Sequence, residues 1–221
     1  MKVEVAPAIL HATYEALEQD WNAIQALVSH IQIDITDGIF AGDPSFKDIQ
    51  RLKQLVNSQK ADLHLMVHTP GQYVDDIINL NPARCVFHVE AFAGAENLKN
   101  VYEKLRASTQ TELGLALNPD SPLDWLEEHL SLVNFILFMG YNPGRANQPI
   151  NPAVYTKLAA FRSTHPGVRL AVDGHVDRET VTDYVKHGAT ILYANTSIFG
   201  TGNPQESLRQ LQLLAESATT E

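Results

Sequence analysis

The sequence predicts an α/β protein with a single (β/α)₈ TIM barrel, on three observations. Short β-branched or apolar runs alternate with amphipathic segments along the whole length, in eight such pairs. The chain has 221 residues, a usual length for eight strand–helix units. No tract rich in proline, glycine and serine divides it, so we expect one domain over residues 1–221, with residues 216–221 as a frayed polar tail. A doubly wound sheet is the competing fold, but it usually needs fewer units.

The predicted strands are apolar runs that end at polar or turn residues, as buried parallel strands do. They cover residues 3–9, 31–34, 61–66, 85–89, 112–118, 134–139, 169–173 and 190–195. The predicted helices carry apolar residues at helical spacing; in the first, Leu17, Trp21, Ile24 and Val28 share one face. They cover residues 13–28, 73–80, 95–107, 122–130, 153–165, 178–187 and 206–217, with a further helical segment after residue 46.

Composition and charge narrow the classes of partner. The chain has 16 basic and 26 acidic residues, and its net charge of −10 argues against nucleic acid or an anionic membrane as partner. No apolar run is long enough to span a membrane, and the first residues do not resemble a signal peptide. The single cysteine, Cys85, lies in an apolar run and is predicted to be a buried thiol, which favours a cytoplasmic location.

Polar and titratable side chains occupy the carboxyl ends of most predicted strands. In a barrel, these ends build the active site. They include Asp34, His64, His88, Asn118, Asp173 and Asn195. The alternative interpretation is that the acids only cap turns, as Asp37 before Gly38 is expected to do. The coincidence of acids and histidines at one end favours an enzyme.

Three of these strand ends read Ile33-Asp34 with Asp37-Gly38, Leu63-His64-Leu65-Met66, and Val172-Asp173-Gly174. Further matches follow in the same order along nearly the whole chain. They are Ala6-Pro7-x-Ile9-Leu10, Phe87-His88-x-Glu90-Ala91, Leu117-Asn118-Pro119, Met139 with Asn142-Pro143-Gly144, and Ser197-Ile198-Phe199-Gly200. Each match is weak alone, but the ordered set resembles the ribulose-phosphate 3-epimerase family.

The resemblance implies an isomerase that inverts the carbon next to a ketose carbonyl. One carboxylate removes a proton from one face and a second carboxyl returns a proton on the other face; by position these are Asp34 and Asp173. One divalent metal ion (zinc, iron, manganese or cobalt) would polarise the carbonyl. Its implied ligands are Asp34, His64 and Asp173, with Gln32 as a further candidate. The implied substrate is a small ketose or ketose phosphate, first of all a pentulose 5-phosphate, and the implied assembly is a homo-oligomer.

Several positions depart from the family's pattern. Gln32 replaces a metal-binding histidine, and an amide oxygen is a poorer ligand than an imidazole nitrogen. Ala8 replaces a serine that faces the substrate, and Thr36 replaces a methionine before Asp-Gly, which makes the pocket more polar.

The turns that hold phosphate in the family are altered most. The family's Gly-Phe-Gly-Gly-Gln reads Gly144-Arg145-Ala146-Asn147-Gln148, its Asp-Gly-Gly reads Asp173-Gly174-His175, and its Gly-Ser reads Asn195-Thr196. The side chains of Arg145 and His175 can bind an anion instead. The predicted substrate-contacting residues are Ala8, Met66, Met139, Gly144, Arg145, Asn147, Gly174, His175, Asn195 and Thr196.

Two alternatives remain open within the family. One is a catalytically impaired member that binds a sugar or metabolite, and the other is an epimerase with a changed ketose substrate. Aldol-type and decarboxylating phosphosugar barrels fit less well. They place a lysine between two aspartates on a strand, and Asp34-Ile35-Thr36-Asp37 has none.

Overall fold

The computed structural model describes residues 2–92, 97–144 and 148–219, and it confirms the closed parallel barrel. The strands pair in chain order, and the eighth strand pairs with the first. They are β1 Glu4–Ile9, β2 Ile31–Thr36, β3 Ala61–Met66, β4 Arg84–His88, β5 Glu112–Leu117, β6 Phe135–Met139, β7 Arg169–Asp173 and β8 Ile191–Ala194. Each strand end lies within two residues of its predicted position. The largest difference is in β2, which continues because its pairing with β3 extends to Thr36.

Helices lie between the strands along the chain. They are α1 Tyr14–Ile24, α2 Leu52–Leu55, α3 Val74–Leu80, α4 Leu98–Ser108, α5 Ala153–Thr164, α6 Val181–Lys186, α7 Thr196–Phe199 and α8 Pro204–Ser217. Short 3₁₀ segments cover Ser58–Lys60, Pro70–Tyr73 and Val89–Phe92. The predicted helix over residues 122–130 is instead a 3₁₀ segment, Leu123–Leu132, in which only Leu126 is buried. It therefore lacks the continuous apolar stripe of an amphipathic α-helix.

The carboxyl-terminal end of the chain corrects one expectation. Glu216 and Ser217, predicted to begin a frayed tail, are the last residues of α8. Ala218 follows with only 8% of its surface exposed, so packing holds the chain at least to this point. Residues 220 and 221 lie outside the described residues.

Alternation along the strands turns polar side chains into the barrel. Gln32 of β2 hydrogen-bonds to Asp173 of β7, which is not a neighbouring strand, so both side chains reach across the interior. In register, Asp34 lies opposite His64, and Met139 lies opposite Asp173. The outward residues of the strands, such as Ile33, join the main hydrophobic core with the helices.

A charged network fills the amino-terminal end of the barrel. The buried guanidinium of Arg84 donates to Asp62 Oδ2 at 3.0 Å and to Glu4 Oε2 at 2.7 Å. The hydroxyl of Tyr193, from β8, also donates to Asp62 Oδ2, at 3.0 Å. Most of these polar atoms pair with one another, but Glu4 Oε1 and Arg84 Nε have no hydrogen-bond partner among the described residues.

The helices of the described residues include none that combines the length and the hydropathy needed to cross a bilayer.

Candidate active site

Two carboxyl groups, an imidazole and an amide meet at the carboxyl ends of β2, β3 and β7. His64 Nδ1 lies 3.2 Å from Asp34 Oδ1 and 3.1 Å from Asp173 Oδ2. Gln32 Nε2 donates to the same two oxygens, at 2.8 Å and 2.6 Å. The structure thus brings together the four residues predicted to form the catalytic and metal centre.

Burial and charge shift the proton affinities of this centre. Burial, followed by the negative charge of Asp173, raises the pKa of Asp34 to about 6. Burial alone would lower the pKa of His64, but its hydrogen bonds to Asp173 and Asp34 and their charges raise that pKa to about 9. In the absence of an ion, His64 therefore carries a proton on Nδ1 at neutral pH and bridges the two acids.

The same residues fit a divalent metal ion. The ligand atoms of Asp34, His64 and Asp173 all lie within 4.8 Å of one another, and all three residues are buried. Two carboxylates and one imidazole are a usual ligand set for a transition-metal ion. The oxygen of the Gln32 amide, Oε1, is buried and has no hydrogen-bond partner among the described residues. A half-turn of this amide would present that oxygen to the ion, and the amide orientation is a choice that the hydrogen-bond network decides.

A second histidine lies behind His64. His64 Nε2 is 2.9 Å from His88 Nε2, and His88 Nδ1 is 3.4 Å from Glu90 Oε2. Both histidine side chains are fully buried. Burial lowers the pKa of His88. Burial opposes ionisation of Glu90, but its contacts with the side chains of His88 and Ser121 and with the backbone N–H of Asn118 hold its pKa below the usual value. His88 is therefore neutral and Glu90 is ionised at neutral pH.

A cavity of about 290 Å³ opens beside Asp173. It is lined by four of the predicted substrate-contacting residues, which are Gly174, His175, Asn195 and Thr196. Tyr141 and Asp177 line it as well, and sequence reasoning missed both, because neither stands at a position of the family's motifs. A small ligand in this cavity would contact Asp173.

His175 has a left-handed backbone, with φ +55°, where the family pattern has glycine. Its Nδ1 lies 2.9 Å from the carbonyl oxygen of Gln148, and its Nε2 lies 3.4 Å from Asp177 Oδ2. The side chain thus ties the turn after β7 to the segment that follows β6. A non-glycine residue in this conformation is uncommon, and such positions concentrate at functional sites.

The other predicted substrate contacts are placed in three ways. Ala8 and Met139 are buried in the barrel interior, where Ala8 pairs in register with Gln32 and Met139 with Asp173. Met66 is buried at the end of β3. Gly144 does not line the cavity beside Asp173 but packs against Gly42, whose backbone nitrogen would lie 2.4 Å from an added Cβ. Arg145 and Asn147 lie outside the described residues.

Asp37 caps the turn after β2, as expected. Its Oδ1 accepts the backbone N–H groups of Ile39 and Phe40, at 2.8 Å and 2.9 Å. Its Oδ2 accepts the N–H of His68, at 2.6 Å. The capped turn brings the Phe40 ring to 5.0 Å from the His88 ring, so this loop covers the histidine pair.

A parallel barrel that gathers two acids and a histidine at the carboxyl ends of its strands belongs to the class of (β/α)₈ enzymes. The comparison with known families is more specific. The family model described as "Ribulose-phosphate 3 epimerase family" matches residues 4–199. The chain therefore belongs to the ribulose-phosphate 3-epimerase family.

Individual relatives agree along almost the full length. The chain is 29% identical to the ribulose-phosphate 3-epimerase of Eremothecium gossypii, over 96% of this chain and 92% of that protein. It is also 29% identical to the enzyme of the same name from Synechocystis sp., over 93% and 91% of the two chains. Among solved structures, it is similar to orotidine 5′-monophosphate decarboxylase from Sulfolobus solfataricus, with a TM-score of 0.66, 16% identity and coverage of 99% and 100%. At this identity the last likeness shows the barrel fold alone.

Proposed function

We propose that the chain is a metal-assisted epimerase that inverts the carbon next to the carbonyl of a ketose phosphate, with a pentulose 5-phosphate as the first substrate to test. One observation carries the proposal: two buried carboxyl groups from β2 and β7 converge on one imidazole beside an open cavity. Inversion needs two proton-transfer groups, because a single base would return the proton to the face from which it came.

Asp34 and Asp173 are the proposed acid/base pair. Their hydrogen bonds within the described chain go to one oxygen each, Asp34 Oδ1 and Asp173 Oδ2. Both side chains keep some exposure, 9% and 13%. The second oxygen of each carboxyl group can therefore serve the substrate while the first faces the centre. The raised pKa of Asp34, about 6, makes its carboxylate a stronger base than an ordinary aspartate.

Asp34, His64 and Asp173 would hold the metal ion, with Gln32 able to add an amide oxygen. A bound divalent ion would polarise the substrate carbonyl and stabilise the negative charge that develops on its oxygen. The chain's own contribution would be to hold the two acids in fixed positions through their shared contacts with His64 and Gln32. Both acids are largely buried, which limits their contact with bulk water.

The test is hydrogen exchange at the inverted carbon of D-ribulose 5-phosphate in deuterium oxide, followed by NMR. Wild-type protein loaded with manganese or zinc should incorporate deuterium and form the epimer. Asp34→Asn and Asp173→Asn should each abolish epimerisation, because each removes the group that serves one face. Asp48→Asn is the matched control, because Asp48 is an exposed turn cap whose Oδ1 the amide preserves. Epimerisation that persists in either site variant contradicts the proposed acid/base pair.

A changed ketose substrate is the second candidate, and the cavity supplies the observation that favours it. His175 and Asn195 add side chains where the family pattern has glycine, and Asp177 adds a carboxylate. The described lining of this cavity includes no lysine or arginine. Exchange on free ketoses but not on their phosphates would support this candidate. Turnover of D-ribulose 5-phosphate alone would exclude it.

A catalytically impaired member of the family is the third candidate. Gln32 Nε2 already donates to both acids, so Asp34 Oδ1 and Asp173 Oδ2 have a shared partner that does not depend on an ion. Metal analysis of the purified protein separates the cases. Protein that binds no divalent ion and turns over no ketose or ketose phosphate would support this candidate over the epimerase.

A further inference from the structure

The side chains behind the proposed metal-binding nitrogen form a line of three: the fully buried His64 and His88, and Glu90, whose side chain is 14% exposed. The epimerisation chemistry itself uses neither His88 nor Glu90. The two imidazole rings lie 20° from coplanar, with centroids 5.1 Å apart. That separation is the 2.9 Å distance between the two Nε2 atoms plus about one ring radius on each side. The rings therefore meet edge to edge, and the nitrogen of one lies in the lone-pair direction of the other.

This geometry couples the protons of the two rings. His64 Nδ1 faces Asp34 and Asp173, so Nε2 is the nitrogen that faces away from the centre. To bind a metal ion, Nδ1 must offer a lone pair, and the remaining proton must then sit on Nε2. His88 Nε2 lies at hydrogen-bond distance to accept it. A neutral His88 that accepts at Nε2 must carry its own proton on Nδ1.

Glu90 completes the line at the far end. His88 Nδ1 and Glu90 Oε2 are 3.4 Å apart, and neither atom makes a hydrogen bond within the described residues, so each is the nearest available partner of the other. A carboxylate can only accept, so Glu90 favours the His88 tautomer with a proton on Nδ1. The other oxygen, Oε1, accepts the backbone N–H of Asn118 at 2.8 Å, which holds the carboxylate in place at the end of β5.

We propose that His88 and Glu90 are positioning residues that fix the tautomer and the ring orientation of His64, so that His64 Nδ1 presents its lone pair to the metal ion. The proposal rests on the metal-assisted function proposed above. It assigns a role to the Phe87-His88-x-Glu90 sequence at the end of β4, where the strand passes directly into a 3₁₀ turn. That turn places the carboxylate two residues after the histidine that it orients.

Glu90→Gln is the sharpest variant, because the structure dictates how the new amide is oriented. The N–H of Asn118 needs an acceptor, so the amide oxygen takes the place of Oε1 and the NH₂ faces His88 Nδ1. His88 must then accept at Nδ1 and carry its proton on Nε2, which faces His64 Nε2. His64 must in turn keep its proton on Nδ1, the nitrogen that binds the ion. We expect the Kd for zinc to rise by about 10- to 100-fold, measured by competition with a chelator.

Asp120→Asn is the matched control, since it makes the same carboxylate-to-amide change at an exposed residue in the loop after β5 and keeps the acceptor used by Asn151. A second measurement needs no variant. Nitrogen-15 NMR of the zinc-loaded wild-type protein should show His64 protonated at Nε2 and His88 protonated at Nδ1.

The outcomes separate this inference from the proposed function. Zinc binding by Glu90→Gln within about twofold of wild type overturns the positioning role and leaves the acid/base proposal standing. His88 protonated at Nε2 in the wild-type protein overturns it as well. A wild-type protein that binds neither zinc nor manganese overturns both proposals.

Discussion

Metal binding at this centre should displace protons, and the protonation state of His64 sets how many protons are released per ion. Its pKa of about 9 keeps the imidazole doubly protonated at pH 7 in the ion-free protein. An ion can bind Nδ1 only after that proton leaves. The apparent Kd should therefore fall about tenfold per pH unit from pH 7 to pH 9, or about 100-fold in all, which corresponds to ~2.7 kcal/mol. Below pH 6 the slope should steepen, because Asp34, with a pKa of about 6, then also holds a proton.

The assay is titration calorimetry with manganese at several pH values, in buffers of different ionisation enthalpy. Manganese is preferable to zinc because a zinc-bound water can itself ionise near pH 7. About one proton should be released per ion at pH 7. In His64→Ala, this release should disappear along with most of the affinity. A Kd that is equal at pH 7 and pH 9 in the wild-type protein would refute the reasoning, since His64 would then carry no proton that the ion must displace.

Three further substitutions test the fold and the centre. Gln32→His should lower the Kd for zinc by about tenfold or more, or ~1.4 kcal/mol, because imidazole is a better ligand than an amide oxygen; unchanged affinity in a chelator competition would contradict this. Arg84→Met should reduce the free energy of unfolding in urea by about 3–5 kcal/mol, because buried Asp62 loses the guanidinium that pairs with its charge and keeps only its contacts with Tyr193 and His30. Arg169→Met is the control: the Arg169 side chain is half-exposed, so its loss should lower the free energy of unfolding by under about 1 kcal/mol. Gly140→Ala should lower the free energy of unfolding by about 1–3 kcal/mol, because the added Cβ would lie 2.1 Å from the backbone oxygen of Gly174, just after β7. An unchanged melting temperature would contradict that packing.

The strands could be predicted closely because each is a short apolar run with a polar residue or a turn after it. Parallel strands are buried on both faces, so their sequences differ sharply from their surroundings. The helices were harder. The one-turn helix α7 carries too few residues for a periodic pattern. Leu123–Leu132 has apolar residues at helical spacing but buries only Leu126 fully and forms a 3₁₀ segment. Boundaries there depend on tertiary packing rather than on local sequence.

The site also has residues that the sequence could predict and contacts that it could not. Asp34, His64 and Asp173 could be predicted because the barrel collects all strand ends at one rim, whatever the side-chain torsions. The contact between His88 and His64 depends on how two inward side chains of adjacent strands orient, which the spacing of residues does not encode. The charged network around Arg84 was missed for a related reason. Three of its members come from the amino ends of β1, β3 and β4, and Tyr193 of β8 contacts them; no family motif drew attention to any of the four.

Gln32 is the position where the structure changes the interpretation most. As a replacement for a metal-binding histidine, it first suggests only a weaker metal site. The structure adds that its amide holds Asp34 and Asp173 together through two short hydrogen bonds while its oxygen stays buried without a partner. A histidine at this position has no carbonyl oxygen to turn toward an ion, whereas an amide can donate to both acids in the ion-free state and accept the ion after a half-turn. Gln32 therefore stabilises the two buried acids in the ion-free protein, and the same side chain can contribute a ligand oxygen in the ion-bound protein. Because a buried oxygen without a hydrogen-bond partner is unfavourable, the unpaired Gln32 Oε1 favours the ion-bound state.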